Sequence, residues 1–384
     1  MAMRILLVME EVKCGGAELS FFALCRALSE RCEVHLALSR ASLDHPTIRA
    51  LHDSLSDTSV RIHQCKTPLN PGTITNLHPF LRRAASRELS SLMEAVRPDV
   101  VIVNLPTVER GQAVVDAAAT SRLRPPVWGF LHLSQKPSVI GAKLGRVRDL
   151  FAAKLIRRFD RLLTVSKAGA REVVQRYGTD PAEVVQPPTR TLEPLPAGTD
   201  RSQLRKASGL PDTFLVGIVG RVQLHHKGHD AALRVIRELL DRGHAVHLVV
   251  VGDGPDQQAV RSMAERMGIA AAVTFLGWRD DIDRLMPLLD AVLMPSRYEG
   301  LPQVAVQAVT AHVPVIGYAV GGLIELLPGC FTVPYGAEDR LLEAMVSLMQ
   351  NPDQWPADEV SLRAINWCEP AHAAEKVLAL AARP

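Results

Sequence analysis

The sequence predicts an α/β protein of two doubly wound, Rossmann-like parallel-sheet domains facing each other across a cleft. Three observations point there. Short, unbroken apolar runs alternate with stretches of helical periodicity; the alternation stops in a segment rich in Pro, Gly and Thr; it then starts again. Parallel strands buried on both faces read as continuous apolar runs, and strand–helix alternation implies a parallel sheet covered by helices. At 384 residues the chain is also longer than one hydrophobic core ordinarily serves.

The first strand is expected at residues 4–9. The Cys14–Glu18 loop follows, then a helix whose apolar positions include Leu19, Phe22, Ala23, Ala27 and Leu28. Further strands are read at 34–38, at 99–104 after Pro98, at 127–132 and at 161–166. Composition changes over 186–212, where Pro, Gly and Thr cluster. The second series of strands is expected at 214–219, 244–251, 273–276, 291–294 and 314–317. Four segments result: an N-terminal domain over 1–190, a linker over 191–211, a C-terminal domain over 212–365, and a C-terminal helix over 366–384 packing back on the N-terminal domain. Open parallel sheets bind ligands at the carboxyl ends of their strands, so the informative residues are sought there.

Bulk composition narrows the function. Aromatic residues make up only 4%, which argues against a base-stacking nucleic-acid platform, and no nucleic-acid partner is expected. The six cysteines, Cys14, Cys25, Cys32, Cys65, Cys330 and Cys368, form no C-x-x-C pair and read as free thiols of a reducing, cytoplasmic compartment. The N-terminal apolar run is too short for a signal peptide, and no stretch reaches the ~18 apolar residues of a spanning helix. Charge is uneven. Residues 1–195 hold 27 Lys/Arg against 19 Asp/Glu, and the remainder 17 against 22; residues 136–176 alone hold 11 basic and three acidic side chains. That imbalance suggests an anionic partner for the N-terminal half.

The chemistry-bearing residues follow strands. Arg221 and Lys227, in the Gly220–Gly228 loop, are two cations beside glycines, a pattern that suits a diphosphate and equally reads as a solvated loop. Neither the P-loop pattern nor G-x-G-x-x-G is present. His225, His226 and His229 lack a neighbouring carboxylate cluster, and no metal is expected. Gly252–Pro255 forms a tight turn at another strand end. The most informative segment runs from Met294 through Ser296, Glu299, Gly300, Leu301 and Pro302 to Gln307 and Ala308, then His312, Val313 and Pro314.

Here the sequence resembles the retaining, GT-B-fold glycosyltransferases of family four, the glycosyl transferases group 1. Their signature is an acidic residue in E-G-x-P, a second acid eight positions later, then A-x-x-x-x-P-V. The resemblance extends through Gly15, Gly16 and Glu18, His132, Ser166, Gly220, Arg221, Lys227 and Gly228, Gly252–Pro255, Phe275–Gly277, Gly321, Gly322, Glu325 and Trp367. It implies that Arg221 and Lys227 clamp the donor diphosphate and that Glu299 binds donor-sugar hydroxyls. The backbone of Gly300, Leu301 and Pro302 would approach sugar and phosphates. From the N-terminal domain, Gly15 and Gly16 would cover the phosphates and His132 would touch the transferred sugar. Gly277 and Arg279 lie where the family's loop contacts the base. Plain structural readings stand beside these: Glu299 as a turn residue capping the next helix, His132 as a strand-end histidine, Ser166 as a helix N-cap.

Two departures stand out. Gln307 occupies the place of the second acid, which in the family binds the ribose. Gln186–Thr189 stands where P-N-G is usual. The resemblance implies metal-independent, retaining transfer of a hexose from a UDP- or GDP-linked sugar with no cofactor, by front-face attack in which a leaving-phosphate oxygen accepts the acceptor's proton. A nucleotide-sugar epimerase and a non-catalytic nucleotide-sugar binder are the alternatives of other classes. The acceptor reads as an envelope glycan or glycolipid, or else a soluble small molecule. Residues 140–159 bear on this choice: Leu144, Val147, Phe151, Leu155 and Phe159 recur at helical spacing, with Lys143, Arg146, Lys154, Arg157 and Arg158 mostly on other faces. Such a helix either lies on an anionic membrane, giving peripheral attachment at its inner face, or packs on the core with a solvated side.

Overall fold

The computed structural model describes residues 3–10, 14–69 and 79–383 and divides into two compact units, Met1–Thr189 with Cys368–Pro384 and Arg190–Trp367. Unit 1 contains β1 (Arg4–Met9), α1 (Gly16–Ser29), β2 (Glu33–Ser39), α2 (Pro46–Asp53), β3 (Arg61–Cys65), α3 (Pro79–Val96), β4 (Val100–Leu105), α4 (Gln112–Thr120), β5 (Val127–Leu131), α5 (Gly145–Ile156), β6 (Arg161–Thr164), α6 (Lys167–Tyr177) and β7 (Glu183–Val184). Its seven strands run parallel in the order β3-β2-β1-β4-β5-β6-β7. Ile5 to Met9 are fully buried, as continuous apolar strands between helical layers must be.

Unit 2 contains α7 (Arg201–Ala207), β8 (Phe214–Val219), α8 (Leu224–Lys227), α9 (His229–Asp241), β9 (Val246–Val251), α10 (Gln257–Arg266), β10 (Val273–Gly277), α11 (Ile282–Leu285), β11 (Ala291–Met294), α12 (Gln303–Thr310), β12 (Val315–Tyr318), α13 (Leu323–Leu326), β13 (Thr332–Val333), α14 (Glu338–Gln350) and α15 (Ala357–Trp367). Its parallel sheet is ordered β10-β9-β8-β11-β12-β13. Both sheets are therefore Rossmann-like, and each reverses its strand order once, between β1 and β4 and between β8 and β11. Such a switch point opens a crevice at the carboxyl edge of the sheet, where ligands of this architecture bind.

Two segments show how the chain closes each unit. The stretch read as a linker, 191–211, packs on unit 2. Leu192 N–H donates to Thr310 Oγ1 at 2.9 Å, Asp200 caps α7, and the buried Arg205 pairs with Asp290 at 2.7 Å and donates to the Leu288 carbonyl. The final helix, α16 (Pro370–Ala381), belongs to unit 1, where it packs on α1 and the Leu380 carbonyl accepts from Arg161.

Candidate active site

In unit 2 the loops after β8 and β11 meet. Lys227, the last residue of the single turn α8, sends Nζ to 2.7 Å from Oε1 of Glu299; the side chains are 17% and 6% exposed. Burial pushes the Glu299 carboxyl upward, but the Lys227 charge, the His226 ring and hydrogen bonds from Lys227 and Ser296 outweigh it and hold the group below its ordinary value. Glu299 is thus an ionised carboxylate kept in a shielded place by a cation.

The backbone is shaped to bring these groups together. Gly228 has φ +69°, and a Cβ there would sit 2.0 Å from the Pro295 carbonyl. Gly321 has φ +53°, and its Cβ would meet the Glu299 carbonyl at 2.0 Å. Only glycine satisfies both the left-handed conformation and the closeness. Gly322 N–H then donates to the Gly300 carbonyl at 2.6 Å, so the Glu299–Gly300 turn is braced from the loop after β12.

His226 holds the turn from the other side, and no sequence pattern had marked it for this. Its ring stacks on Tyr298 at 4.3 Å and 8°, its Nε2–H donates to the Tyr298 carbonyl at 3.0 Å, and its own carbonyl accepts from Arg297 N–H at 2.8 Å. Burial pushes this imidazole down to about 4, so it is neutral near pH 7. Arg297 is tied to Tyr335 and Asp230. Arg221, by contrast, is exposed and makes no hydrogen bond or ion pair with a described residue.

The remaining unit 2 residues spread along the same carboxyl edge. Gly300, Leu301 and Pro302 lead directly into α12, with Pro302 as its N-cap. Gln307 lies one turn further, half-buried, with its amide unbonded among the described residues. Gly277 ends β10 with φ +67°, close to the Asp253 carboxylate, which accepts from Trp278 N–H at 3.0 Å. Arg279 is drawn into an ion pair with Asp281 at 2.6 Å, while the Trp278 ring is 67% exposed. Asp281-Ile282-Asp283 has the acid-x-acid spacing of many metal sites, which the metal-free expectation passed over; Asp283 pairs with Arg190. Among the described residues no group of three or more His, Cys, Asp or Glu side chains is placed to hold a metal ion.

Unit 1 gathers its own set at the β1–β4 switch. Gly15 is the N-cap of α1 and Gly16 its first residue. Gly15 N–H donates to Glu18 Oε2 at 2.8 Å, Asn104 Nδ2 to Glu18 Oε1 at 3.4 Å, and His132 Nε2 lies 2.9 Å from Asn104 Oδ1. Burial pushes the His132 imidazole down to about 3. Asn104, fully buried at the end of β4, escaped the sequence reading, although a polar residue closing the run Val100–Val103 is itself a signal. Ser166 is an N-cap: its Oγ accepts from Gly169 N–H at 3.1 Å and starts α6.

The amphipathic stretch divides. Leu155 and Phe159 join the core, whereas Leu144, Val147, Leu150 and Phe151 are 77%, 52%, 73% and 69% exposed. Arg157 is spent on the Tyr177 carbonyl and Arg158 on Asp116, while the side chains of Lys143, Arg146 and Lys154 are drawn into no such bond among the described residues. No helix among the described residues is long and apolar enough to cross a membrane.

Comparison with known proteins identifies the same two halves. Residues 15–189 match the glycosyl transferase 4-like domain, and residues 213–351 match the glycosyl transferases group 1 family. A 2-deoxystreptamine glucosyltransferase of Streptomyces kanamyceticus is 33% identical over 185 residues, 44% of this chain and 47% of that protein. A D-inositol 3-phosphate glycosyltransferase of Mycobacterium marinum is 33% identical over 221 residues, 55% and 44% of the two chains. The chain thus spans less than half the length of these curated relatives in its matches. Among solved structures, Anabaena Alr3699/HepE in complex with UDP and glucose superposes with a TM-score of 0.77 at 21% identity, over 98% of this chain and 99% of that one. The lipopolysaccharide outer core galactosyltransferase WaaB gives 0.71 at 17% identity, over 98% and 99%. At such identities the likeness is one of fold, and the fold is GT-B.

Proposed function

The chain belongs to the glycosyl transferases group 1 family, and from that premise we propose that it transfers a hexose from a nucleotide-diphosphate sugar to an acceptor with retention of anomeric configuration. The observation that carries this reading is the Lys227–Glu299 pair at the β8–β11 switch of unit 2. An ammonium has three N–H donors, and Glu299 uses one; the others are available to phosphate oxygens. Glu299, kept ionised, accepts hydrogen bonds from sugar hydroxyls. Arg221 supplies a second, uncommitted cation, and the N-terminus of α12 supplies a positive dipole end directly after Pro302. Leaving-group departure puts negative charge on a phosphate oxygen, and fixed cations stabilise it without reorganisation. The acceptor hydroxyl attacks from the same face, and that phosphate oxygen takes its proton. His132 is assigned to the transferred sugar, Gly15 and Gly16 to the phosphates, and Gly277 and Arg279 to the base.

Calorimetry with UDP, GDP, UDP-glucose and GDP-linked sugars tests donor binding, and the anomeric coupling in the product's proton NMR spectrum tests retention. Failure of every nucleotide diphosphate to bind, or an inverted product, would end this reading.

For the acceptor, an envelope glycan or glycolipid at an anionic surface is favoured by the exposed apolar side chains of α5 and the turn before it, bordered by Lys143, Arg146 and Lys154. A soluble, small polar acceptor is favoured by the relatives named for 2-deoxystreptamine and D-inositol 3-phosphate. Vesicle sedimentation separates the two.

A further inference from the structure

At the β1–β4 switch of unit 1, four residues are joined in a row. Gly15 N–H donates to Glu18 Oε2 at 2.8 Å, Asn104 Nδ2 faces Glu18 Oε1 at 3.4 Å, and Asn104 Oδ1 faces His132 Nε2 at 2.9 Å. Glu18 and Asn104 are 4% and 1% exposed. The chemistry of the partners sets the direction of each bond. A carboxylate only accepts, so the Asn104 group turned toward Glu18 is its NH2. The carbonyl oxygen is thereby turned toward His132, and it too only accepts. The proton of the neutral ring therefore sits on Nε2, and Nδ1 keeps a lone pair. Among the described residues Nδ1 has no hydrogen-bond partner.

We propose that Glu18 and Asn104 are positioning residues for His132: Glu18 orients the Asn104 amide, and Asn104 locks the ring as the Nε2–H tautomer, leaving Nδ1 to accept a hydrogen bond from a substrate hydroxyl. The substrate half of this statement rests on the proposed role of His132; the tautomer half does not. The row also joins the Gly15 turn at the start of α1 to the histidine at the end of β5. One carboxylate thus fixes the helix start that carries Gly15 and Gly16 and the hydrogen-bonding character of His132.

The test exchanges an amide and a carboxylate. In Glu18→Gln the oxygen of the new amide still accepts from Gly15 N–H, so its NH2 faces Asn104. The Asn104 amide turns over, its NH2 donates to His132 Nε2, and the ring proton moves to Nδ1. Adding Asn104→Asp reverses this: the introduced carboxylate accepts from the introduced amide on one oxygen and from Nε2–H on the other. The full chain, labelled with 15N-histidine, reports the tautomer by long-range proton–nitrogen correlation, with His132 identified by its loss in His132→Gln. The expected results are Nε2–H in the wild type, Nδ1–H in Glu18→Gln, and Nε2–H again in the double variant. With UDP-glucose as probe, kcat for UDP release should fall by about 10-fold or more in Glu18→Gln with little change in KM, and recover in the double variant. A tautomer unmoved by Glu18→Gln overturns the row itself. A switched tautomer with unaltered kcat overturns the substrate role and, with it, the His132 assignment in the proposed function. Should Glu18→Gln fold poorly on its own, Glu18→Gln with Asn104→Asp decides: its single carboxylate, facing Nε2–H and paired with the introduced amide, must raise the ring's titration midpoint, and an unmoved midpoint refutes the contact.

Discussion

Nζ of Lys227 and Oε1 of Glu299 are 2.7 Å apart although the residues are separated by 72 positions in the chain. Each is shielded from solvent, so each depends on the other. Lys227→Ala leaves a buried carboxylate without its cation and is expected to destabilise unit 2 by about 3 kcal/mol. The variant should also lose turnover by ~100-fold or more. Glu299 titrates below its ordinary value of 4.5 in the native state, so its contribution to stability is present above that pH and is lost as pH falls through the lower native value. Denaturant midpoints from pH 3 to 7 should show this acid loss in the wild type and a shallower one in Lys227→Ala. Parallel curves would mean that the pair does not stabilise the charge.

His229 opens α9 beside this site, is 1% exposed, and neither of its ring nitrogens has a hydrogen-bond partner among the described residues. Burial pushes its pKa down to about 4. The native ring resists protonation, so the stability it permits is full above the unfolded value of 6.5 and is lost as pH falls from there toward 4. His229→Leu removes both the unsatisfied nitrogens and this titration. It should raise stability at pH 7 by about 1 kcal/mol and flatten the loss between pH 6.5 and 4. A lower Tm at both ends of that range would show that the ring has packing value that Leu does not replace.

Turnover should survive excess chelator. Asp281 is held by Arg279 and Asp283 by Arg190, so the acid-x-acid run is already neutralised by cations of the chain. Loss of activity in EDTA, restored by manganese or magnesium, would require a metal in the leaving-group chemistry.

How much of this was legible in the sequence depended on whether the information was local. Apolar runs such as Ile5–Met9 and Ala291–Met294 announced the central strands because burial on both faces leaves no polar position. The edge strands β3, β7 and β13 were missed, since RIHQC is largely polar and the other two are two residues long. Proline and glycine around α7 made it read as linker, and the reason it packs, Arg205 on Asp290, lies 85 positions away in the chain. Motifs named Lys227, Glu299 and His132 individually. What each one touches depends on Asn104, His226 and Gly321, which are brought near by strand order and not by spacing.

Gln307 stands half-buried on α12 with its amide unbonded among the described residues. Because the position retains access to water, a carboxylate there carries only part of a burial penalty. Gln307→Glu should therefore tighten nucleotide binding by ~1 kcal/mol, the gain from a neutral to a charge-assisted hydrogen bond with a ribose hydroxyl. Calorimetry with UDP measures this directly. Equal or weaker binding would place the ribose out of reach of α12.

The exposed apolar residues on α5 and the turn before it supply the last prediction. Four large apolar side chains, Leu144, Val147, Leu150 and Phe151, remain in water while Ala152, Leu155 and Ile156 of the same segment fill the core. Burying an exposed Leu or Phe is worth about 1.5–3 kcal/mol, and a basic residue near an anionic bilayer about 1 kcal/mol. Lys143, Arg146 and Lys154 carry that charge, and their side chains are bonded to nothing among the described residues, whereas Arg157 and Arg158, bonded to Tyr177 and Asp116, do not serve as probes: reversing them would break unit 1 internally. The wild type should therefore sediment with vesicles containing phosphatidylserine, and less so as salt rises, since exposed charges are screened within about 10 Å at 0.1 M. Leu150→Glu with Phe151→Glu should abolish sedimentation, and Lys143, Arg146 and Lys154 changed to Glu should remove its salt-sensitive part, both leaving UDP affinity in place because none of these residues is among those proposed to bind UDP. If the wild type ignored anionic vesicles at low salt, the apolar face would not be a membrane contact, and the soluble small-molecule acceptor would become the better reading.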